Sequence, residues 1–121
     1  MKEVLFVDDD PDITLIVSYI IRKMDYVHLT TASTGKEALE LMKEKLFDLI
    51  LLDVMMPELD GVSTFHALRK LPGYKETPVL FVTAKVQRDE VEAYKNLGVQ
   101  DVVSKPFDPI ELPKIVRKWL K

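Results

Sequence analysis

The sequence contains no cysteine, so neither a disulfide framework nor thiolate metal chemistry is open to it. No apolar run approaches the roughly 20 residues that a membrane-spanning helix requires. Nothing at the N-terminus resembles a secretion signal: Met1-Lys2-Glu3 leads directly into a short apolar run. An excess of basic charge is also missing. The formal net charge is −3 and the Lys and Arg residues are scattered, which points away from direct nucleic-acid binding. No internal repeat, linker or low-complexity segment interrupts the chain. These absences leave a single-domain protein with no membrane contact as the expectation, and the cytoplasm as its expected location.

What is present fits one compact domain. The 121 residues are 47% apolar and 31% charged, enough to bury roughly two-thirds of the unfolded surface. The stretch DLILLDVMMPELDG, from Asp48 to Gly61, organises the rest. Leu49 to Leu52 read as a strand buried on both faces, and Asp53 stands just past its end. Pro57 and Asp60-Gly61 mark a loop returning to helix. Asp53 is therefore either a turn residue or a reactive group, because ligands of open α/β sheets bind outside the carboxyl ends of the strands.

Taken in order, Glu3 to Val7 is a first strand ending in Asp8-Asp9-Asp10-Pro11. Asp10 before Pro11 starts a helix, with Ile13, Ile16, Val17, Ile20, Ile21 and Met24 as its apolar stripe. Val27 to Thr31 is a weaker strand. Thr34 and Glu37 form a capping box that opens a helix through Leu46. After the Asp53 strand, a helix runs from about Gly61 to Leu71, with Val62, Phe65 and Leu68 inward. Val79 to Val82 is the fourth strand, followed by Thr83-Ala84-Lys85. A helix from about Arg88 to Leu97 has only Val91, Tyr94 and Leu97 to bury, and Gly98 stops it. Asp101 to Ser104 is the fifth strand, followed by Lys105-Pro106-Phe107, and a last helix carries Leu112, Ile115, Val116 and Trp119 on one face. Five alternations with short connections predict an α/β fold, a parallel sheet with helices on both faces.

In such a sheet, Asp8-Asp9, Asp53, Thr83 and Lys105 all open onto one edge. Each is unremarkable alone: a solvated turn, an ordinary threonine, a solvated lysine. Together they are not. Two like charges about 4 Å apart repel by roughly 4 kcal/mol at an effective dielectric near 20, so three convergent carboxylates call for a cation. Oxygen-only ligands suit Mg²⁺. A carboxylate beside Mg²⁺, an ammonium and a hydroxyl is equipped to receive a phosphoryl group.

Asp8-Asp9 after the first strand, LLDVMMPELDG, VTA and SKPF, in this order and spacing, resemble the receiver domain of two-component response regulators over essentially the whole chain. The resemblance implies a single receiver domain over 1–121 with a flavodoxin-like, doubly wound five-stranded sheet of order 2-1-3-4-5 and five helices. It implies that Asp53 is the phospho-acceptor, and that Mg²⁺ is held by Asp9, Asp53 and the backbone carbonyl of Met55, with Asp8 acting partly through water. Lys105 would pair with the acceptor and its phosphate, and Thr83 would be the switch hydroxyl, with Ala84 after it. A cis peptide would join Lys105 to Pro106. The donor would be a histidine kinase or phosphotransfer protein. A downstream protein partner or effector domain would read the fourth helix, fifth strand and fifth helix. The chain would catalyse its own phosphorylation and turn over no metabolite, so it is not expected to be an enzyme.

Three features depart from the family pattern. Val102 stands three residues before Lys105, where the family commonly has Tyr or Phe, and a β-branched side chain has no large swing to offer. Met55 and Lys85 would flank the phosphoryl group, and Met55 has no good hydrogen-bonding group, which implies slow hydrolysis. Pro113 falls within the expected last helix and predicts a start nearer Leu112. The alternative from another class is a receiver-like module that binds partners whatever its phosphorylation state, favoured by Val102. A phosphatase with an Asp nucleophile fits worse, because the acid/base position two residues on is Met55. A flavin site needs a hydroxyl- and glycine-rich loop after the first strand, and DDDPD would repel the phosphate. His28 and His66 are isolated, Met56 reads as a packing residue, and Trp119 as a core residue or else part of a partner face.

Overall fold

Alternate residues of a strand face opposite ways, and here three of the five strands are apolar on both faces. The computed structural model describes residues 1–56, 58–84, 88–105 and 107–120. Among them, β1 (Lys2–Val7), β2 (Val27–Ala32), β3 (Leu49–Asp53), β4 (Val79–Thr83) and β5 (Asp101–Ser104) form one sheet. All pairings are parallel, in the order β2-β1-β3-β4-β5. The helices are α1 (Pro11–Ile21), α2 (Gly35–Glu44), α3 (Gly61–Arg69), α4 (Arg88–Leu97) and α5 (Glu111–Trp119).

The alternation divides the core in two. Val4, Phe6, Leu49, Leu51, Leu80, Val82 and Val103 pack with residues of α1 and α5 on one face. Leu5, Val7, Ile50, Leu52, Val79 and Phe81 pack with residues of α2 and α3 on the other. A sheet buried on both faces explains the unbroken aliphatic runs.

The helix starts follow from local chemistry. Asp10 caps α1 by accepting from the Asp12 N–H at 2.9 Å. Thr34 accepts from the Glu37 N–H at 3.0 Å, while the Glu37 carboxylate reaches back to the Ser33 N–H at 2.6 Å. Asp60 caps α3 through the Ser63 N–H at 2.8 Å. Gly98, at φ +116°, ends α4 in a conformation that glycine alone adopts without strain.

Several expectations shift. β3 extends through Asp53 itself, because Asp53 pairs in register with Val82 of β4. The second helix stops at Glu44 rather than Leu46, and Leu46 is exposed. The third stops at Arg69, and Leu71 lies in the turn beyond it. Ile16 is not part of the buried stripe of α1; at 100° per residue it lies about 80° from the centre of the stripe. Leu97 is likewise exposed. Pro113 is the third residue of α5, where a missing N–H leaves no helical bond broken. The helix accordingly starts at Glu111. Asp108 Oδ1 accepts from the Ile110 N–H just ahead of it, at 2.8 Å.

No helix among the described residues is long and apolar enough to cross a membrane.

Candidate functional site

The parallel sheet carries the ends of β1, β3, β4 and β5 to one edge, and backbone hydrogen bonds fix them there. The Asp8 N–H donates to Ala32 O at 3.1 Å, the Val54 N–H to Val82 O at 3.0 Å, and the Lys105 N–H to Thr83 O at 2.9 Å. The last bond ties the loop after β5 to the end of β4. Gly61 holds the end of β3 from the other side. Its N–H donates to Val54 O at 3.0 Å, and a Cβ there would collide with the Asp53 carbonyl oxygen and lie 2.7 Å from Val54 Cα. Only glycine lets α3 begin this close to the end of β3.

Asp8 and Asp53 are buried, at 1% and 3% exposure, and Asp9 is exposed at the rim. Carboxylate oxygens of all three lie within 4.8 Å of one another. Lys105 Nζ stands 2.7 Å from Asp8 Oδ2 and 3.3 Å from Asp53 Oδ2. The resemblance pairs Lys105 with the acceptor; in the structure its shorter contact is to Asp8. Asp8 Oδ1 accepts from the Asp10 N–H at 2.9 Å. Among the described residues, Asp8 Oδ2 has the ammonium beside it but no hydrogen bond of good geometry. The Met55 N–H donates to Asp53 Oδ1 at 3.2 Å.

The electrostatics follow from this crowding. Burial, and then the charge of Asp8, push the Asp53 carboxyl up to about 6, against the opposing pull of Lys105 and the Met55 N–H. Burial pulls the Lys105 ammonium down, but Asp8 and Asp53 outweigh it and its pKa is raised, so Lys105 is a fixed positive charge. Three carboxylates against one ammonium leave an excess of negative charge. A buried carboxylate oxygen without a directed hydrogen bond sits in its midst. That donor set fits a hard divalent cation with oxygen ligands.

Residues 4–117 match the family described as the response regulator receiver domain. The chain belongs to that family. Its receiver fold superposes on the chemotaxis protein CheY4 of Vibrio cholerae with a TM-score of 0.92, at 34% identity over 99% of both chains. It also superposes on the receiver domain of the sensor histidine kinase PA1611 of Pseudomonas aeruginosa (TM-score 0.88, 27% identity, 98% and 97% of the chains), a structure described with magnesium coordinated in its active-site cleft. The transcriptional regulatory protein SrrA of Staphylococcus aureus is 38% identical over 99% of this chain. The chain spans about half the length of that regulator, 48%. Receiver domains are signalling modules rather than metabolic enzymes, and they bind Mg²⁺ in the active site.

The other sequence-predicted positions are distributed as follows. Thr83 is buried at the end of β4, and Ala84 beyond it is exposed. Val102 is half-buried on β5, opposite Phe81. The Met55 side chain is 76% exposed, whereas Met56 is buried. Pro106, with its expected cis peptide, and Lys85 lie outside the described residues. His28 pairs with Glu3 at 2.8 Å on the surface, and His66 is exposed beside Phe65. Trp119 is half-buried against the α1–α5 core. Sequence reasoning missed two supports. One is the close seat of Gly61. The other is Tyr74, fully buried in the loop before β4, whose hydroxyl donates to Lys45 O at 2.7 Å and accepts from the Phe47 N–H at 3.0 Å.

Proposed function

We propose that Asp53 accepts a phosphoryl group from a histidine kinase or phosphotransfer protein, and that the acyl phosphate switches this domain's partner interactions. In the transfer an Asp53 carboxylate oxygen bonds to phosphorus, and the bond from phosphorus to the donor nitrogen breaks, its electron pair leaving with the donor. Lys105, charged and within 3.3 Å of Asp53, is placed to neutralise the incoming phosphoryl oxygens. Asp9, Asp53 and the Met55 carbonyl would hold Mg²⁺, with Asp8 joining through water. Bound there, the ion would supply the remaining positive charge that a transferring phosphoryl group requires. The Thr83 hydroxyl would bond a phosphoryl oxygen and so carry the change into β4. Output would pass through the face formed by α4, β5 and α5.

The observation that carries this reading is the pairing of Asp53 with a cation inside a buried acidic cluster. A turn residue needs no ammonium at 3.3 Å and no second buried carboxylate beside it. The test is intact mass after incubation with acetyl phosphate and with a panel of histidine kinases, with Mg²⁺ or with EDTA. One added phosphoryl group that requires Mg²⁺ is expected. No adduct from any donor would favour the other reading, a module that binds partners irrespective of phosphorylation, for which Val102 is the supporting feature.

A further inference from the structure

The helix α4 has the weakest grip on the core. None of its residues is fully buried, and Val91 and Tyr94 are only half-buried. Its aromatic contact runs to β4: the Tyr94 ring meets Phe81 edge-to-face, centroids 5.1 Å apart at 79°. Phe81 is fully buried and meets Phe65 of α3 in the same manner, at 5.7 Å and 82°. The Arg69 guanidinium lies 4.9 Å from the centre of the Phe65 ring. Three rings thus join α3, β4 and α4. Phe81 precedes Thr83 by two residues, so both side chains face the same side of the sheet. The residue opposite Phe81 on β5 is Val102, and β5, DVVS, has no ring of its own.

We propose that Tyr94 is the positioning residue that couples the Asp53 site to α4. This rests on Asp53 being the acceptor. Movement of Thr83 toward a phosphoryl group shifts the end of β4 and with it Phe81. An edge-to-face pair is sensitive to ring angle and separation, so the Tyr94 ring reseats. The helix has no fully buried side chain to hold it in place and follows the ring. Val102, small and β-branched, leaves this task to α4.

Fluorine NMR of the full chain labelled with 3-fluorotyrosine tests the coupling. It reports Tyr19, Tyr26, Tyr74 and Tyr94, and the Tyr94 signal is assigned with Tyr94→Phe. On addition of Mg²⁺ and acetyl phosphate the Tyr94 resonance should shift while those of Tyr26 and Tyr74 stay in place, and Asp53→Asn should abolish the shift. In amide spectra, the phosphorylation-dependent shifts of residues 88–97 should fall at least threefold in Tyr94→Ala and persist in Tyr94→Phe. A mass measurement on the same sample separates the two ways of failing. A phosphoryl adduct with an unmoved Tyr94 resonance, or with undiminished α4 shifts in Tyr94→Ala, overturns the coupling alone. Absence of an adduct from acetyl phosphate and from every histidine kinase of the panel overturns the acceptor reading and the coupling with it.

Discussion

Replacing Asp53 with Asn should stabilise the metal-free protein, and by an amount that depends on pH. Burial and Asp8 raise the Asp53 carboxyl from 3.8 to about 6. Above pH 6 the fold therefore carries a charge that the unfolded chain carries more easily. That rise corresponds to about 3 kcal/mol. Since the folded pKa is the higher one, stability is full below about pH 3.8 and is lost as pH rises to about 6. Asparagine mimics the protonated acid at every pH. Lys105 keeps its 2.7 Å contact with Asp8 in the variant, so no buried ammonium is stranded. Urea unfolding in EDTA should show Asp53→Asn more stable by about 3 kcal/mol at pH 8, on the order of 10 °C in Tm. At pH 4.5 the gain should shrink to about 1 kcal/mol. A variant no more stable than the parent at pH 8, or a gain equal at both pH values, would show that the ionised Asp53 carboxylate does not destabilise the fold.

Gly61→Ala should cost about 1–3 kcal/mol and slow phosphorylation, because the new methyl can be housed only by moving the backbone at Asp53 and Val54; urea titration and initial labelling rates read the two effects. Tyr74→Phe leaves the Phe47 N–H and the Lys45 carbonyl without their shared hydroxyl and should lower stability by about 1–3 kcal/mol, with labelling of Asp53 unaffected. Met55→Asn places an amide at the exposed rim beside Asp53 and should speed loss of the phosphoryl group roughly tenfold, about 1.4 kcal/mol of barrier. An unchanged decay rate would show that residue 55 does not govern lifetime.

The sheet and the site edge are legible in the sequence because they rest on short-range chemistry. Buried parallel strands need continuous aliphatic runs, and LILL, VLFV and EVLFV have them; Asp10, Thr34 and Gly98 announce helix boundaries through caps. Once the strands are parallel, Asp8, Asp53, Thr83 and Lys105 must share an edge. Side-chain distances within that edge do not follow from the same rules. That Lys105 lies nearer Asp8 than Asp53 depends on where the bond from the Lys105 N–H to Thr83 O seats the lysine beside β4. Tyr74 was invisible for a different reason. It sits between Pro72-Gly73 and Pro78, where no periodicity marks an inward residue, and its burial arises from contacts with residues 45 and 47, far away in the chain. Gly61 reads as a turn glycine in DG; its close approach to Asp53 exists only in three dimensions.

In the proposed transfer Asp53, and neither of the acidic residues at the end of β1, carries the phosphoryl group. Borohydride reduction of the phosphorylated protein converts an acyl-phosphorylated aspartate to homoserine, and tandem mass spectrometry of the peptides then locates it. Homoserine is expected at position 53 alone, formed only when Mg²⁺ was present during labelling. Homoserine at position 8 or 9, or labelling that persists in Asp53→Asn at the parent's level, would contradict it.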